Sequence, residues 1–234
     1  MPAPPVHLRP TADLAERVLL PGDPGRALLL AQALLAEPLM FNHARGLWGY
    51  TGLAADGAPL TVQATGMGGP SAAIVVQELI DLGARRLVRV GTCGALDSDL
   101  GLGDLVVARD ALAADGASDA LGASERVAAD ETLTAALAAA AGPDATVTTV
   151  VTSDLFYDPD PERAKRWAAR GMLAVEMEAA AILTLGALRG VQAGCLLLVS
   201  DTLSGGEYTR IGDAELAEAV DRLAALALAT VTGK

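Results

Sequence analysis

The run Leu87-Val88-Arg89-Val90-Gly91-Thr92-Cys93-Gly94-Ala95-Leu96 constrains this chain most. Its apolar residues predict a strand, and a cation inside such a strand is costly unless something pairs with it. Glycines after the arginine let backbone N–H groups approach a ligand closely, and Thr92 adds a hydroxyl donor. Arg89, Thr92 and these amides suit an oxyanion such as phosphate. A purely structural ion pair suits Arg89 equally well.

Composition narrows what can surround that strand. Hydrophobic residues make up 52% of the 234. That fraction supports a sizeable core and excludes a disordered chain. The formal charge of -12 argues against nucleic acid or an anionic membrane as partner. An anionic substrate must then be held by a few placed arginines against an unfavourable overall field. The two cysteines, Cys93 and Cys195, both sit in apolar runs and read as buried free thiols in a reducing compartment. The histidines are His7 and His43, and no Cys/His cluster has metal-ligand spacing, so no metal is expected. The start, Met1-Pro2-Ala3-Pro4-Pro5, lacks the apolar stretch of a signal peptide, and no run reaches membrane-spanning length. The expectation is a cytoplasmic protein.

Short apolar runs alternate with amphipathic ones. Strands are predicted at 17–20, 60–64, 86–90, 105–108, 146–151, 173–175 and 195–199. Helices are predicted from the 21–26 turn to about 36, from 70 to 82, over 130–141 and 161–170, from 178 to about 188, and over 214–230. Residues 114–124 read as a surface loop and 42–50 as a packed or interfacial loop. This alternation predicts an α/β fold: a single domain over 1–234 with a mixed, largely parallel central β-sheet flanked by helices. The candidate segments 22–26, 66–71, 89–94, 153–157, 176–178 and 200–201 all fall just after strands, where open α/β sheets bind ligands.

Each segment has its own chemistry. Pro21-Gly22-Asp23-Pro24-Gly25-Arg26 is a rigid turn in which the Gly22 amide and Arg26 can hold an anion at a helix N-terminus. A Pro/Gly turn with a solvated arginine fits those residues as well. Gly66-Met67-Gly68-Gly69-Pro70-Ser71 departs from a dinucleotide loop at Ser71 and follows an internal strand, so close backbone approach to a small ligand is the better reading. Val175-Glu176-Met177-Glu178 sets two carboxylates around a methionine. Glu178 can accept hydrogen bonds from a vicinal diol and Met177 can line a sugar's apolar face. A glutamate capping the helix N-terminus is the alternative. Val199-Ser200-Asp201 closes a very apolar strand, where a partly desolvated carboxyl suits a general acid and an N-cap or turn role is the alternative. His7 and Arg45, taken singly, read as surface residues.

In this order the segments resemble the nucleoside phosphorylase-I superfamily, and most of all its hexameric bacterial purine nucleoside phosphorylases. The resemblance runs from His7 to Asp201. It rests on LPGDPGRA at 20–27, NHARGLWGYTG at 42–52, TGMGGPSAAI at 65–74, RVGTCGAL at 89–96, SDLFY at 153–157, VEMEAAAI at 175–182 and VSD at 199–201. It implies reversible phosphorolysis of a purine nucleoside to free base and ribose 1-phosphate. It implies that Gly22, Arg26, Arg89 and Thr92 hold phosphate, with Arg45 supplied by a neighbouring subunit. It places Val175, Glu176, Met177, Glu178 and Ser200 around the nucleoside, with Glu178 and Met177 on the ribose. His7 of a neighbour would contact the 5′-OH, Phe156 would stack near the base, and Asp201 would protonate purine N7. Arg210 is the candidate counterpart of an arginine that assists this aspartate in the family. The resemblance further implies a homohexamer with shared sites, phosphate as co-substrate, and no metal or organic cofactor.

Two departures stand out. The 202–213 segment is short and rich in Gly, Ser and Thr, and the 114–124 loop is shorter than is usual in the family. Uridine phosphorylase is the alternative, and GGPS at 68–71 with DGAS at 115–118 leans toward it. Between Tyr157 and Val175, however, the chain lacks the Gln-x-Arg pair those enzymes use to read uracil. A non-catalytic nucleoside-binding relative is a further alternative, against which stands the joint presence of Asp201, Glu178, Arg26 and Arg89.

Overall fold

Apolar residues at alternating strand positions feed two cores, one on each face of a mixed sheet. The computed structural model describes residues 4–202 and 208–231. The chain runs β1 (Arg17–Leu20), α1 (Pro24–Leu34), β2 (Ala36–Asn42), a 3-10 turn (Ala44–Gly46), β3 (Gly49–Leu53), β4 (Pro59–Gln63), α2 (Gly69–Leu82), β5 (Arg86–Ala95) and β6 (Leu105–Ala114). It continues with α3 (Gly116–Ala120), β7 (Arg126–Ala128), α4 (Glu131–Ala141), β8 (Thr146–Ser153), α5 (Arg163–Ala168), β9 (Ala174–Glu176), α6 (Ala179–Arg189), β10 (Gln192–Thr202), β11 (Thr209–Arg210) and α7 (Asp213–Val231). Among the described residues no helix is long and apolar enough to cross a membrane.

The strands lie in the order β11-β10-β6-β8-β9-β5-β1-β4-β3-β2, with β7 on β6. β10 also pairs along β5, so β5, β10, β6, β8 and β9 close into a ring. The long β5–β10 and β6–β8 ladders are parallel, and β10–β6, β5–β9 and the β2–β3–β4 meander are antiparallel. Helices cover both faces, as the alternation predicts. On one, α2 and α6 bury Val76, Leu79, Ile182 and Leu183 with Leu87, Val106 and Leu197 of the sheet. On the other, α1, α4 and α7 bury Leu30, Leu133, Leu137 and Leu223 with Val88, Val107 and Leu196.

Local chemistry sets the helix starts. Asp23 caps α1 by accepting the Arg26 N–H at 2.7 Å, and Asp130 caps α4 by accepting the Leu133 N–H at 2.9 Å. Pro24 and Pro70 occupy first-turn positions that need no intrahelical donor.

Four expectations change. Residues 42–50 are not one loop: they end β2, form the 3-10 turn and begin β3. Residues 114–124 include α3, whose cap Asp115 accepts the Ser118 N–H at 2.9 Å. The strands predicted to stop at Val90, Ala108 and Val199 run on to Ala95, Ala114 and Thr202, because Thr92, Cys93 and Gly94 still find ladder partners on β10 and β9. Segments 89–94 and 200–201 therefore lie within ring strands β5 and β10, whereas 22–26 and 66–71 follow β1 and β4 outside the ring, and 153–157 and 176–178 begin at the ends of β8 and β9.

Gly186 of α6 sits so close to β10 that an added Cβ would fall 2.6 Å from Cβ of Ala193. Gly186→Ala is expected to force the helix off the sheet and destabilise the fold by about 1–3 kcal/mol. Urea unfolding checks this, and an unchanged midpoint would show that the helix can shift freely.

Candidate active site

The buried cation finds its partners in the Val175–Glu178 motif. Arg89 is 4% exposed. Its Nε lies 2.8 Å from Oε2 of Glu176, and its Nη2 lies 2.6 Å from Oε2 of Glu178. The guanidinium rests against Gly91, where an added Cβ would come within 3.0 Å of Cζ, Nη1 and Nη2. Burial works against the charge of Arg89, and Glu178 and Glu176 more than offset it, so it stays above the ordinary guanidinium range. The Nε contact is not aligned as a hydrogen bond, and Nη1 has no acceptor among the described residues. A buried guanidinium with donors to spare is suited to an oxyanion.

The two glutamates divide the roles that the sequence left open. Glu176 is the helix cap: its Oε2 accepts the N–H groups of Glu178 and Ala179 at 2.8 and 2.9 Å, and Thr152 Oγ1 donates to its Oε1. Burial pushes the Glu176 carboxyl up, with Arg89 pulling it down. So occupied, Glu176 positions Arg89 and the start of α6. Glu178 caps nothing with its side chain. Its Oε1 accepts the Gly68 N–H at 2.5 Å, which joins the start of α6 to the start of α2. Val175, just before Glu176, and Met177, between the two carboxylates, are half-buried.

The two glycine-rich turns meet beside this cluster. Thr65 and Gly66 donate their N–H groups to the carbonyls of Pro21 and Gly22 at 2.9 and 3.0 Å. Ser71 Oγ donates to the Thr65 carbonyl at 2.6 Å, fixing the turn into α2. Arg26 is lowered from the ordinary guanidinium range by burial, and it feels Asp23, Arg89 and Glu178 in turn. Arg26 is thus near enough to Arg89 and Glu178 to feel their charges, and Gly22 lies in the turn that precedes it. Thr92 lies half-buried on β5, opposite Leu198.

Asp201 reaches the site by a β-bulge. Along β10, Val199 pairs with Cys93 and Asp201 with Gly94, so Ser200 is the extra residue. A bulge re-aims the side chain that follows it. Asp201 is 9% exposed. Its Oδ2 accepts from Ser200 Oγ at 3.2 Å and its Oδ1 from Tyr208 Oη at 3.0 Å. Arg210 pairs with Asp201 in backbone register, yet its side chain is exposed and among the described residues forms no ion pair with that carboxylate. Most of the Gly/Ser-rich stretch after Thr202, residues 203–207, lies outside the described residues.

Of the remaining candidates, Phe156 and Arg45 sit on the surface and His7 is half-buried. Phe156 is 53% exposed and meets Tyr157 edge-on with ring centroids 5.0 Å apart. Arg45 is exposed on the 3-10 turn, with a left-handed backbone at φ 60°. Asn42 ties that turn to the N-terminal segment: its Nδ2 donates to the Leu47 carbonyl at 2.5 Å and its Oδ1 accepts the Arg9 N–H at 2.9 Å. His7 is moored to α2, where Glu78 Oε1 meets His7 Nδ1 at 2.8 Å. Sequence reasoning missed Glu78, Asn42, Thr152 and Tyr208, all of which act on partners distant in the chain or across a short turn. Cys93 and Cys195 are buried free thiols, and burial pushes both up.

Fold and site define an α/β chain in which a buried arginine is held by two glutamates and a buried aspartate ends the neighbouring strand. The chain belongs to the phosphorylase superfamily, whose family model matches residues 16–232. It is similar to the DeoD-type purine nucleoside phosphorylase of Caldanaerobacter subterraneus subsp. tengcongensis, 43% identical over 207 residues, 84% of this chain and 87% of that protein. It is also similar to the DeoD-type purine nucleoside phosphorylase of Clostridium beijerinckii, 41% identical over 219 residues, covering 90% and 92% of the two chains. Among solved structures, a uridine phosphorylase from Vibrio fischeri superposes with a TM-score of 0.82 at 26% identity, covering 93% of this chain and 91% of that one.

Burial alone would raise the Glu78 carboxyl, but N–H groups of Leu8, His7 and Val6 and the His7 ring hold it below the ordinary range. A depressed folded-state value means that this mooring stabilises above the unfolded glutamate pKa, about 4.3, and is lost as pH falls through the lower folded value. Glu78→Gln should therefore destabilise the protein at pH 7, with the deficit shrinking toward pH 3. Urea unfolding of both proteins across that window checks it, and a deficit constant with pH would contradict the mooring.

Proposed function

We propose that this protein is a purine nucleoside phosphorylase, which splits purine ribo- or deoxyribonucleosides with phosphate to give the base and the sugar 1-phosphate. One observation carries the reading: parallel pairing of β5 with β10 sets the anion-seeking Arg89, bound to Glu178, on the same strand pair as the buried Asp201. In this reading Arg89, Arg26, Thr92 and the Gly22 amide hold phosphate. An oxygen of phosphate attacks C1′ as the C1′–N9 bond breaks. Positive charge then develops on the sugar and negative charge on the purine. The phosphate stabilises the first, and a proton passing from the Asp201 carboxyl to N7 relieves the second. Glu178 accepts from the ribose hydroxyls, and Met177, Val175 and Ser200 line the nucleoside with Phe156 near the base.

The reading includes residues 1–234 as one domain, a cytoplasmic setting that suits free thiols, and no cofactor besides phosphate as co-substrate. It also includes a homohexamer in which His7 and Arg45 complete a neighbour's site. Exposed Leu39, Met40 and Leu53 on the outer β2–β3 hairpin, 62%, 40% and 51% exposed, support an interface there. Uridine phosphorylase is the second reading, favoured by the V. fischeri superposition and opposed by the greater identity to purine enzymes.

Inosine with and without phosphate separates these readings. Ribose 1-phosphate should form only when phosphate is present, and turnover of uridine in preference to inosine would overturn the purine assignment. Arg26→Ala should raise KM for phosphate at least roughly tenfold, since it removes one charge-assisted contact. Arg89→Ala is a poorer probe, because it strands two buried carboxylates.

Asp201→Asn keeps the shape but cannot give up a proton. With inosine it should lower kcat by roughly 10²–10⁴, the range of a positioned general acid. With 7-methylinosine, which already carries the positive charge, the loss should be small. Equal losses on both substrates would mean that Asp201 shapes the pocket and is not the acid.

A further inference from the structure

Asp201 has a second hydrogen-bond donor that neither the motif set nor the family resemblance assigns. Tyr208 Oη lies 3.0 Å from Oδ1 of Asp201. The contact follows from the strand pairing. Asp201 faces Arg210 across β10 and β11, and Tyr208, two residues from Arg210, is its diagonal neighbour on the same side. Ser200 Oγ, 3.2 Å from Oδ2, takes the other carboxylate oxygen. Two hydroxyl donors thus converge on one carboxyl group, one from within its own strand and one from the returning chain.

We propose that Tyr208 is a positioning residue for Asp201, and that its hydroxyl holds the carboxyl in place and stabilises the carboxylate left when the proton passes to the base. The inference rests on the purine phosphorylase reading of the site. It goes beyond that reading because it moves the assisting role from Arg210 to Tyr208. Arg210, the residue that sequence order suggests as helper, keeps its side chain at the surface. Tyr208 reaches Asp201 with its hydroxyl and is still 53% exposed, so it spans from the buried carboxyl to solvent. Its phenol is raised above the ordinary value, first by burial and then by the hydrogen bond to Asp201 and that group's charge. The hydroxyl therefore stays protonated near neutral pH and can donate. The chemistry balances without a further reagent. Asp201 loses one proton to N7, Tyr208 keeps its own, and water returns a proton to Asp201 after the base leaves.

The Tyr208 hydroxyl should matter only where a proton must move to the base. Tyr208→Phe removes the hydroxyl and keeps the ring. With inosine and phosphate its kcat is expected to fall roughly tenfold, with KM for phosphate unchanged. With 7-methylinosine its kcat should match wild type. Arg210→Ala, assayed alongside, should leave the inosine to 7-methylinosine ratio as in wild type. An equal fall on both substrates would overturn the proposal, since Tyr208 would then act on the base or the pocket shape. No fall on either would overturn it as well, and so would an Arg210→Ala variant that changes the ratio while Tyr208→Phe does not. Wild type serves as the control for the parent reading. If it forms no ribose 1-phosphate from inosine and phosphate, that reading fails, whereas a wild type that turns over beside an unaffected Tyr208→Phe sinks only the role of Tyr208.

Discussion

The charge on Arg89 is the feature around which the rest of this molecule is arranged. It lies in the strand that joins the ring to the outer sheet, and its burial is offset by Glu176 and Glu178, which come to it from β9 and the start of α6. Removing one member of such a buried cluster typically costs about 3–5 kcal/mol, because the other charges are left unpaired. In a chain with a net charge of -12, the proposed phosphate site depends on such placed cations, because nearby charges in a low dielectric dominate distant screened ones.

Much of this was legible in sequence, and the reasons differ by residue. The cost of a cation among Leu87, Val88 and Val90 could be read directly, but its partners could not, because Glu176 and Glu178 lie far along the chain. Either glutamate fitted the cap. Only the backbone N–H geometry at Glu178 and Ala179 assigned it to Glu176. The helices were visible through Pro24, Pro70 and their flanking polar residues. Strand β2 was not, because residues 36–40 are exposed and lack the alternation that marks a half-buried strand. The ends of β5 and β10 were cut short in sequence because Gly91, Gly94 and Ser200 look like breakers, whereas here the glycines stay within the ladder and Ser200 forms a bulge. Tyr208 gave no signal at all. It follows a Gly-rich stretch, and its meaning depends on a two-residue strand.

The same scaffold serves enzymes of different base preference, as the superposition on a uridine phosphorylase at 26% identity shows. Fold alone therefore does not choose between them, and the choice lies with individual side chains. The proposed anion-binding half of this site is built on strand pairs and helix starts. The groups nearest the proposed base position, Phe156, Tyr208 and Asp201, come from strand ends and the segments that follow them.

Closure of β5, β10, β6, β8 and β9 into a ring has a consequence for how such a protein can change over evolutionary time. An edge strand of an open sheet can slip its register by giving up hydrogen bonds on one side. A strand inside this ring must give them up on both, and a slip by one residue would also turn its core side chains outward. The wall that carries Arg89 and Asp201 is therefore resistant to gradual remodelling. A change of base preference would then be met most readily at exposed positions outside the ring ladders, such as Phe156 and Tyr157, where a new side chain disturbs no strand pairing.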